Sequence, residues 1–382
     1  MNQLAFAPPP VRPEAEALRQ EVRAFLHDTI AGRPALARAE SWSGLDPEFS
    51  RRLGVRGWIG MTWPREYGGH ERHALDRYVV TEELLAAGAP VAAHWIADRQ
   101  SGPALLRYGT EAQRQAYLPG IATGEHYFCI GMSEPDTGSD LASARTRATR
   151  VQGGWLVQGT KLWSTNAHVA QTMILFCRTA APDPQQRHAG VSQFLVDLHL
   201  PGITIRPVNA MTGEHHFNEV VFNDVFLPDD ALLGAEGDGW KQVTGELAFE
   251  RSGPERFLSS FTLLVELVRV LGDTPDDRAT MALGRLGAHL VTLRHLSRSV
   301  AGMLEAGLDP ALQAAMVKDL GALLEQEVPE IARLLVEGPP TPARQRFQAV
   351  LDYTTMHAPS FSLRGGTREI LRGIIARGLG LR

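Results

Sequence analysis

Apolar side chains recur every three to four residues along the first part of the chain. Between residues 14 and 29 they are Ala17, Leu18, Val22, Phe25 and Leu26. This spacing places them on one face of an α-helix, so an amphipathic helix is predicted there. Further helix-like segments lie at 46–57, 76–88, 99–108 and 111–118, separated by loops rich in Gly and Pro. The pattern predicts an all-helical domain over residues 1–126.

From residue 127 to residue 235 the helical period gives way to short runs of β-branched and aromatic residues. The runs cover residues 154–158, 172–177, 191–196, 203–207 and 219–225. Turn-forming residues separate them at intervals of roughly a dozen, close to the ~8–12 typical of an antiparallel barrel or sandwich. A small antiparallel β domain is therefore predicted over 127–235.

Helical periodicity returns after Gly239 and continues to the end of the chain. The apolar positions Leu286, Leu290, Leu293, Leu296, Val300 and Leu304 are spaced 4, 3, 3, 4 and 4 apart, which gives one apolar stripe. Segments 243–272, 310–337 and 342–358 are also helix-like. Residues 236–382 are predicted to form a helical bundle. The predicted fold class is mainly α with a central β domain, the small antiparallel β-barrel or sandwich lying between an N-terminal helical domain and a C-terminal helical bundle.

Composition narrows the classes of protein that fit. A length of 382 residues favours more than one domain. A net charge of −5 and scattered basic residues argue against a nucleic-acid partner. No apolar run is long enough to cross a membrane, and residues 1–12 lack the pattern of a secretory signal. Cys129 and Cys177 each lie in an apolar run and are predicted to be buried, free thiols. We expect a cytoplasmic protein.

The motifs do not support three common kinds of site. Gly234, Gly237 and Gly239 do not have the spacing of a dinucleotide-binding fingerprint, and no phosphate loop is present. His215 and His216 are adjacent, so a regular helix or strand cannot point both at one ion. No Gly-x-Ser-x-Gly hydrolase elbow occurs. We expect no metal site.

Two short peptides near the middle of the chain stand out. The first is Met132-Ser133-Glu134-Pro135-Asp136-Thr137-Gly138-Ser139-Asp140, and the second is Lys161-Leu162-Trp163-Ser164-Thr165-Asn166. A strand-like segment bounded by glycines joins them, which places both on loops and edges of the β unit. Taken singly, the first peptide has the composition of a surface turn and Trp163 that of a core residue.

Together the two peptides resemble the flavin-binding segments of the acyl-CoA dehydrogenase family. That family reads Thr/Ser-Glu-Pro-x-x-Gly-Ser-Asp and then Lys-x-Trp-x-Thr/Ser-Asn, which residues 133–140 and 161–166 match position by position. The helix–β–helix order also matches the family's three-domain fold, from about residue 14 to the end. The resemblance implies an FAD-containing dehydrogenase that forms the α,β double bond of an acyl thioester and reduces an electron-transfer flavoprotein.

The resemblance also implies which residues contact the cofactor. A flavin that accepts hydride at N5 gains negative charge near N1 and O2, so it needs hydrogen-bond donors there and a flat apolar partner. The implied flavin contacts are Ile130, Met132, Ser133, Gly138, Ser139, Trp163, Ser164, Thr165, Thr367 and Glu369. Ser139, Arg251 and Gly366 are the implied contacts to the acyl-CoA.

The base that removes the α-proton is expected on a different segment. A carboxylate must face the flavin across the substrate. Many members of the family carry this Glu directly before the Gly-Thr of a closing loop, where this chain has Gly365. The isovaleryl and long-chain type carries it before an Arg on the first long C-terminal helix, which Glu250 and Arg251 match. We predict Glu250 as the base, with Glu255 and Glu369 as rivals and a solvated helix face as the structural alternative.

Partners and alternative functions follow from the same comparison. Many members bind the adenosine half of FAD through an Arg and a Phe-Gly pair of a neighbouring subunit; here Arg278 is present and the Phe-Gly pair is missing. A homodimer or homotetramer acting on an acyl-CoA or acyl-carrier thioester is expected. One alternative is an oxidase or a carrier-protein-linked biosynthetic dehydrogenase of the same fold. The other, motivated by Gly365, is a non-catalytic subunit of a hetero-oligomer.

Overall fold

The computed structural model describes residues 4–245 and 251–381 in full and the backbone of residues 246–250. The chain divides into two compact units. The first combines Met1–Asp46, Arg72–Ala92 and Ala248–Arg382; the second combines Pro47–Glu71 and Ala93–Leu247. Helices from the N-terminal third contribute to both units. The three-part domain division predicted along the sequence stays a prediction.

Thirteen α-helices lie within residues 4–381. They are α1 (Pro13–Ile30), α2 (Ala35–Glu40), α3 (Pro47–Val55), α4 (Ala74–Ala87), α5 (Ala92–Ile96), α6 (Gly102–Tyr108), α7 (Glu111–Ala122), α8 (Gly239–Arg251), α9 (Phe261–Leu271), α10 (Asp277–Glu305), α11 (Ala311–Leu335), α12 (Pro342–Phe361) and α13 (Arg368–Gly378). The predicted helices at 14–29, 46–57, 76–88 and 111–118 correspond to α1, α3, α4 and α7.

The helices of the first unit bury the stripes that the sequence predicts. In α10, Leu286, Leu293 and Val300 are fully buried. Helix α11 packs against α10, α12 and α13, and α4 packs against α1 and α10. The prediction of one helix-like segment over 243–272 is wrong in its middle. Helix α8 ends at Arg251 because Gly253 is extended and Pro254 lacks the N–H that a continuing helix needs.

The second unit is built on one sheet of eight strands. They are β1 (Phe128–Gly131), β2 (Arg147–Val151), β3 (Gly154–Lys161), β4 (Thr172–Arg178), β5 (Val191–Asp197), β6 (Ile203–Val208), β7 (Phe217–Pro228) and β8 (Leu232–Leu233). The order is β6-β7-β3-β2-β4-β5-β8, with β1 paired to β4. Most pairs are antiparallel as predicted, but β1 and β2 each pair with β4 in parallel.

The sheet core places the two peptides at neighbouring strand ends. Trp155, Val157 and Phe194 are buried in this core together with Cys129 and Cys177, which are free thiols as predicted. The first peptide follows β1 and the second follows β3. Both peptides therefore begin where a buried strand ends.

No helix in residues 4–381 is long and apolar enough to cross a membrane. Among the side chains that the structure describes, no group of three or more His, Cys, Asp or Glu is arranged to hold a metal ion.

Candidate active site

The first peptide folds into a tight turn around Glu134. The N–H of Glu134 donates to the carbonyl of Thr137 (2.8 Å), and the N–H of Thr137 donates back (3.1 Å). The Glu134 carboxylate accepts from the backbone N–H of Arg145 (2.7 Å) and of Thr146 (2.9 Å). This acidic side chain therefore shapes the loop from inside and is only 7% exposed.

The second peptide is held against β7 by backbone hydrogen bonds. Ser164 and Asn218 exchange two N–H to carbonyl bonds of 3.0 and 3.1 Å, and the Asn218 amide also donates to the Ser164 carbonyl. Within this frame Trp163 has a φ of 64°, in the left-handed region that non-glycine residues seldom adopt. The hydrogen bonds between Ser164 and Asn218 hold Trp163 in this backbone conformation, although residues with a side chain disfavour it.

Trp163 is exposed, so the core-residue interpretation is wrong. Its side chain has 53% relative exposure, and its ring contacts Phe217 edge to face at 5.6 Å. An indole that is fixed by its backbone and by a ring at its edge leaves a flat apolar face available.

The two peptides are joined directly to each other. The N–H of Leu162 donates to the Ser133 carbonyl (2.9 Å). The ammonium of Lys161 donates to the Met132 carbonyl (2.9 Å) and to Glu134 Oε1 (2.8 Å). The prediction that both peptides lie on loops and edges of the β unit is confirmed, since the first follows β1 and the second begins at the end of β3.

Charge and burial act in opposite directions on the pair formed by Lys161 and Glu134. Burial alone would raise the pKa of Glu134, but the charge of Lys161 and the hydrogen bonds to the carboxylate hold that pKa below its ordinary value. Burial lowers the pKa of Lys161, and the negative charge of Glu134 opposes this shift. We take Glu134 to be ionised because three donors point at its two oxygens, namely the Lys161 ammonium and the N–H groups of Arg145 and Thr146.

The other predicted cofactor contacts differ in exposure. Ile130, Met132, Ser133 and Thr165 are half-buried, Gly138 and Ser139 are exposed, and Ser164 is buried. The Ser164 hydroxyl has no hydrogen-bond partner among the described atoms. Among those atoms the N–H and hydroxyl of Ser133 also make no hydrogen bond. Donors beside an exposed aromatic face are the groups that an isoalloxazine ring requires, so the residues fit a flavin.

The closing loop lies in the first unit and is fixed by arginines. The Nε of Arg251 donates to the Gly365 carbonyl (3.0 Å), which supports the expectation that Arg251 orders this loop. Gly365 and Gly366 have φ values of 72° and 98°. A Cβ added to Gly365 would lie 2.8 Å from the guanidinium of Arg256. A side chain at the loop position that carries Glu in many family members would therefore be strained by the backbone conformation and would have to displace the Arg256 guanidinium.

The residues that follow this loop begin helix α13. The Thr367 hydroxyl accepts from the Ile370 N–H (3.4 Å) as an N-cap. Glu369 is exposed in the first turn, where hydrogen bonds from its own N–H and from Thr367 lower its pKa. The Glu369 carboxylate is therefore held in its charged form at the start of a helix, where it stabilises the first turn.

The predicted base Glu250 lies outside the residues whose side chains the structure describes, although its backbone belongs to α8. The adjacent Arg251 is 7% exposed, and Glu255 and Arg256 are 6% and 2% exposed. The alternative of a solvated helix face is wrong for these three residues.

The predicted adenosine contact Arg278 lies at the start of α10. It is exposed and donates to the Leu334 carbonyl (2.9 Å). This contact uses one nitrogen of its guanidinium group.

Sequence reasoning did not identify Lys161 or Lys318 as structural anchors. Both lysines are buried, and Lys318 donates to the Phe361 carbonyl (2.7 Å) just before the closing loop. The third lysine, Lys241, is exposed. Arginine supplies nearly all the positive charge of this chain, so the rarity of lysine could have marked these positions. A compact ammonium can donate to a buried backbone carbonyl, as Lys161 and Lys318 both do.

Comparison with known proteins agrees with this geometry. Residues 12–125 match the profile of the acyl-CoA dehydrogenase N-terminal domain, and residues 129–225 match that of the middle domain. Acyl-CoA dehydrogenase FadE34 of Mycobacterium tuberculosis is 34% identical over 369 residues, which is 95% of this chain and 50% of FadE34. The chain thus spans about half of that relative. Acyl-CoA dehydrogenase IpdE1 of the same organism is 32% identical over 385 residues, covering 96% of this chain and 98% of IpdE1.

Solved structures match the whole fold. The steroid ACAD Tcur3481-Tcur3483 superposes with a TM-score of 0.84 at 27% identity, covering 98% of this chain and 99% of that one. The ChsE4-ChsE5 complex of Mycobacterium tuberculosis gives 0.82 at 29% identity, with the same coverage. These matches share the N-terminal helical, middle β and C-terminal helical domains, as the predicted fold class requires. The chain belongs to the acyl-CoA dehydrogenase family of flavin-dependent oxidoreductases.

Proposed function

We propose that the chain binds FAD and introduces the α,β double bond into an acyl-CoA thioester. The observation that carries this proposal is the junction of the two peptides. There, bonds from Lys161 and Leu162 fix the first peptide while the Ser133 donors and the Trp163 ring stay accessible. A loop with only a structural role has no need to hold an exposed indole at a left-handed φ.

Each predicted residue has a role that suits its position. Ser133 and the backbone of Met132 would donate to the pyrimidine end of a bound flavin, the Thr165 hydroxyl would be the donor for its hydride-accepting nitrogen, and Trp163 would cover one face. The flavin-binding segments of the second unit would be completed by Ile130, Gly138, Ser139 and Ser164. Ser139 also addresses the thioester. When bound, the flavin supplies the acceptor for the hydride that leaves Cβ.

The chain itself supplies the group that takes the α-proton. We assign this role to Glu250. Arg251 supports it by holding the Gly365 carbonyl at 3.0 Å, which fixes the closing loop. With flavin bound, the carboxylate would take the proton from Cα and the cofactor would supply the acceptor for the hydride from Cβ, which accounts for both hydrogens that the substrate loses. An electron-transfer flavoprotein is the proposed partner that reoxidises the enzyme.

Glu250→Gln tests the assignment of the base. The variant is expected to keep its flavin absorbance and to lose about 10²–10⁴-fold in kcat, since one positioned proton acceptor is removed. Glu255→Gln and Glu369→Gln are the matched controls, and neither is expected to reduce proton abstraction. Full activity in Glu250→Gln, or loss of turnover only in one of the controls, would overturn the assignment.

A second measurement separates the dehydrogenase from an oxidase or a carrier-linked enzyme of the same fold. Anaerobic addition of acyl-CoAs of varied length should bleach the flavin absorbance, and no peroxide should appear on admission of air. Bleaching only by carrier-bound chains, or rapid peroxide release, would favour the alternative.

The matched structures support a second candidate function. One is called a steroid enzyme and another is a complex of two different chains. On this basis the chain is one subunit of a hetero-oligomer that acts on a bulky ring-bearing acyl thioester. A purified chain that is colourless alone and becomes yellow with a partner subunit would favour this candidate over the homo-oligomer.

A further inference from the structure

Lys161 is a fully buried cation with three neighbours of different kinds. Its ammonium lies 2.9 Å from the Met132 carbonyl oxygen and 2.8 Å from Glu134 Oε1. The same nitrogen lies 5.8 Å from the ring centroid of Phe176, which is also fully buried. The ammonium is thus enclosed by a carbonyl, a carboxylate and an aromatic ring.

Stability alone is a poor explanation for this ion pair. Taking both charges out of water costs about as much as their attraction returns, so apolar residues of equal volume often stabilise a protein as well. The ion pair does fix the position of the Lys161 ammonium, since the Glu134 carboxylate is itself held by the N–H groups of Arg145 and Thr146. The ammonium therefore has one defined position relative to the first peptide.

The position of the ammonium determines where a neighbouring N–H group points. In a planar trans peptide the carbonyl of one residue and the N–H of the next point in opposite directions. Because Lys161 holds the Met132 carbonyl, the N–H of Ser133 points away from the buried ammonium. That N–H has no acceptor among the described atoms, so it is available to a ligand.

We propose that Lys161 is a positioning residue that aims the Ser133 N–H at the flavin and, through its charge, favours the reduced cofactor over the oxidised one. This inference rests on the proposed flavin site. The negative charge of Glu134 opposes the effect of the Lys161 charge, so the two residues must shift the reduction potential of the flavin in opposite directions. Removal of Lys161 leaves a buried negative charge, whereas neutralising Glu134 leaves a buried positive one.

The reduction potential of the bound flavin tests this opposition in the full-length holoenzyme. Lys161→Met is expected to weaken binding of reduced relative to oxidised flavin by at least tenfold, which lowers the two-electron potential by about 30 mV. Glu134→Gln is expected to shift the potential upward. Lys161→Arg keeps the charge and should retain most of the wild-type potential.

Phe194→Leu is the control for loss of stability. Phe194 is buried in the same sheet against Trp155 at 5.4 Å, and it is not among the described hydrogen-bonding or aromatic neighbours of the pair. The Phe194→Leu substitution should lower the unfolding midpoint without changing the reduction potential of the flavin. If Lys161→Met and Glu134→Gln move the potential in the same direction, or leave it at the wild-type value, the proposal is wrong. If Lys161→Met does not fold, the sign of the Glu134→Gln shift decides.

Failure of this inference is separable from failure of the proposed function. A wild-type chain that binds no flavin, alone or with a partner subunit, overturns both. A wild-type holoenzyme with a measurable potential that neither variant alters overturns the role of Lys161 alone.

Discussion

Arg364 joins the closing loop to the helices of the first unit through a buried ion pair. Its guanidinium donates to both oxygens of Glu325, at 3.0 and 3.2 Å, and to the Ser259 hydroxyl at 2.5 Å. It also stacks on Trp42 and Phe361, with centroid distances of 4.5 and 5.0 Å. Glu325 is 1% exposed, so protein donors, and Arg364 above all, take the place of water around its carboxylate.

Arg364→Met should therefore destabilise the fold severely. The change leaves the Glu325 carboxylate buried without its arginine, a perturbation that costs about 3–5 kcal/mol. Methionine retains part of the contact with the two rings, so the lost charge dominates. Against a total stability of about 5–15 kcal/mol, this loss is large.

Urea denaturation followed by circular dichroism measures the effect. Adding Glu325→Gln to Arg364→Met should recover most of the loss, because the unpaired charge disappears while an acceptor for the Ser259 N–H at 2.9 Å remains. Arg333→Met is the matched control, since its pair with Glu330 is more than half exposed and should change stability by less than about 0.5 kcal/mol. A single variant within about 1 kcal/mol of wild type, or a double variant no more stable than the single, would refute the reasoning.

Two further predictions concern the closing loop and the first peptide. Gly365→Ala should cost about 1–3 kcal/mol, because it combines a φ of 72° with a clash at 2.8 Å, whereas Gly284→Ala, with nothing within 4 Å, should be neutral or stabilising in a urea titration. Equal effects of the two would contradict the clash. Glu134 has a folded-state pKa below its ordinary 4.5, so it stabilises the fold above that pH and this contribution disappears as the pH falls through the folded value. The stability difference between wild type and Glu134→Gln should shrink as the pH falls below about 4.5, and a difference that stays constant on acidification would show that the carboxylate does not titrate there.

Sequence periodicity predicted the long elements well and the short ones poorly. The stripe from Leu286 to Val300 is long enough to define a helix face by itself, and on that face Leu286, Leu293 and Val300 are buried while Leu290 and Leu296 are half-buried. Strands β1 and β2 were missed because four or five residues do not establish a period, and β1 is stabilised by parallel pairing with β4. Helix α13 lies in the region predicted to be helical but was not delimited as a separate segment, since its first turn overlaps the residues assigned to the closing loop.

The sequence alone determined the family motifs and the order of helical and β regions, because these depend on residue types at fixed short spacings. It indicated neither the exposure of Trp163 nor the burial of Lys161. Both depend on residues distant in the chain. Phe217 and Asn218 contact the second peptide, and Glu134 accepts a hydrogen bond from the Lys161 ammonium. Only the tertiary structure decided which charges are desolvated and where backbone donors point, because strand pairing fixes these properties.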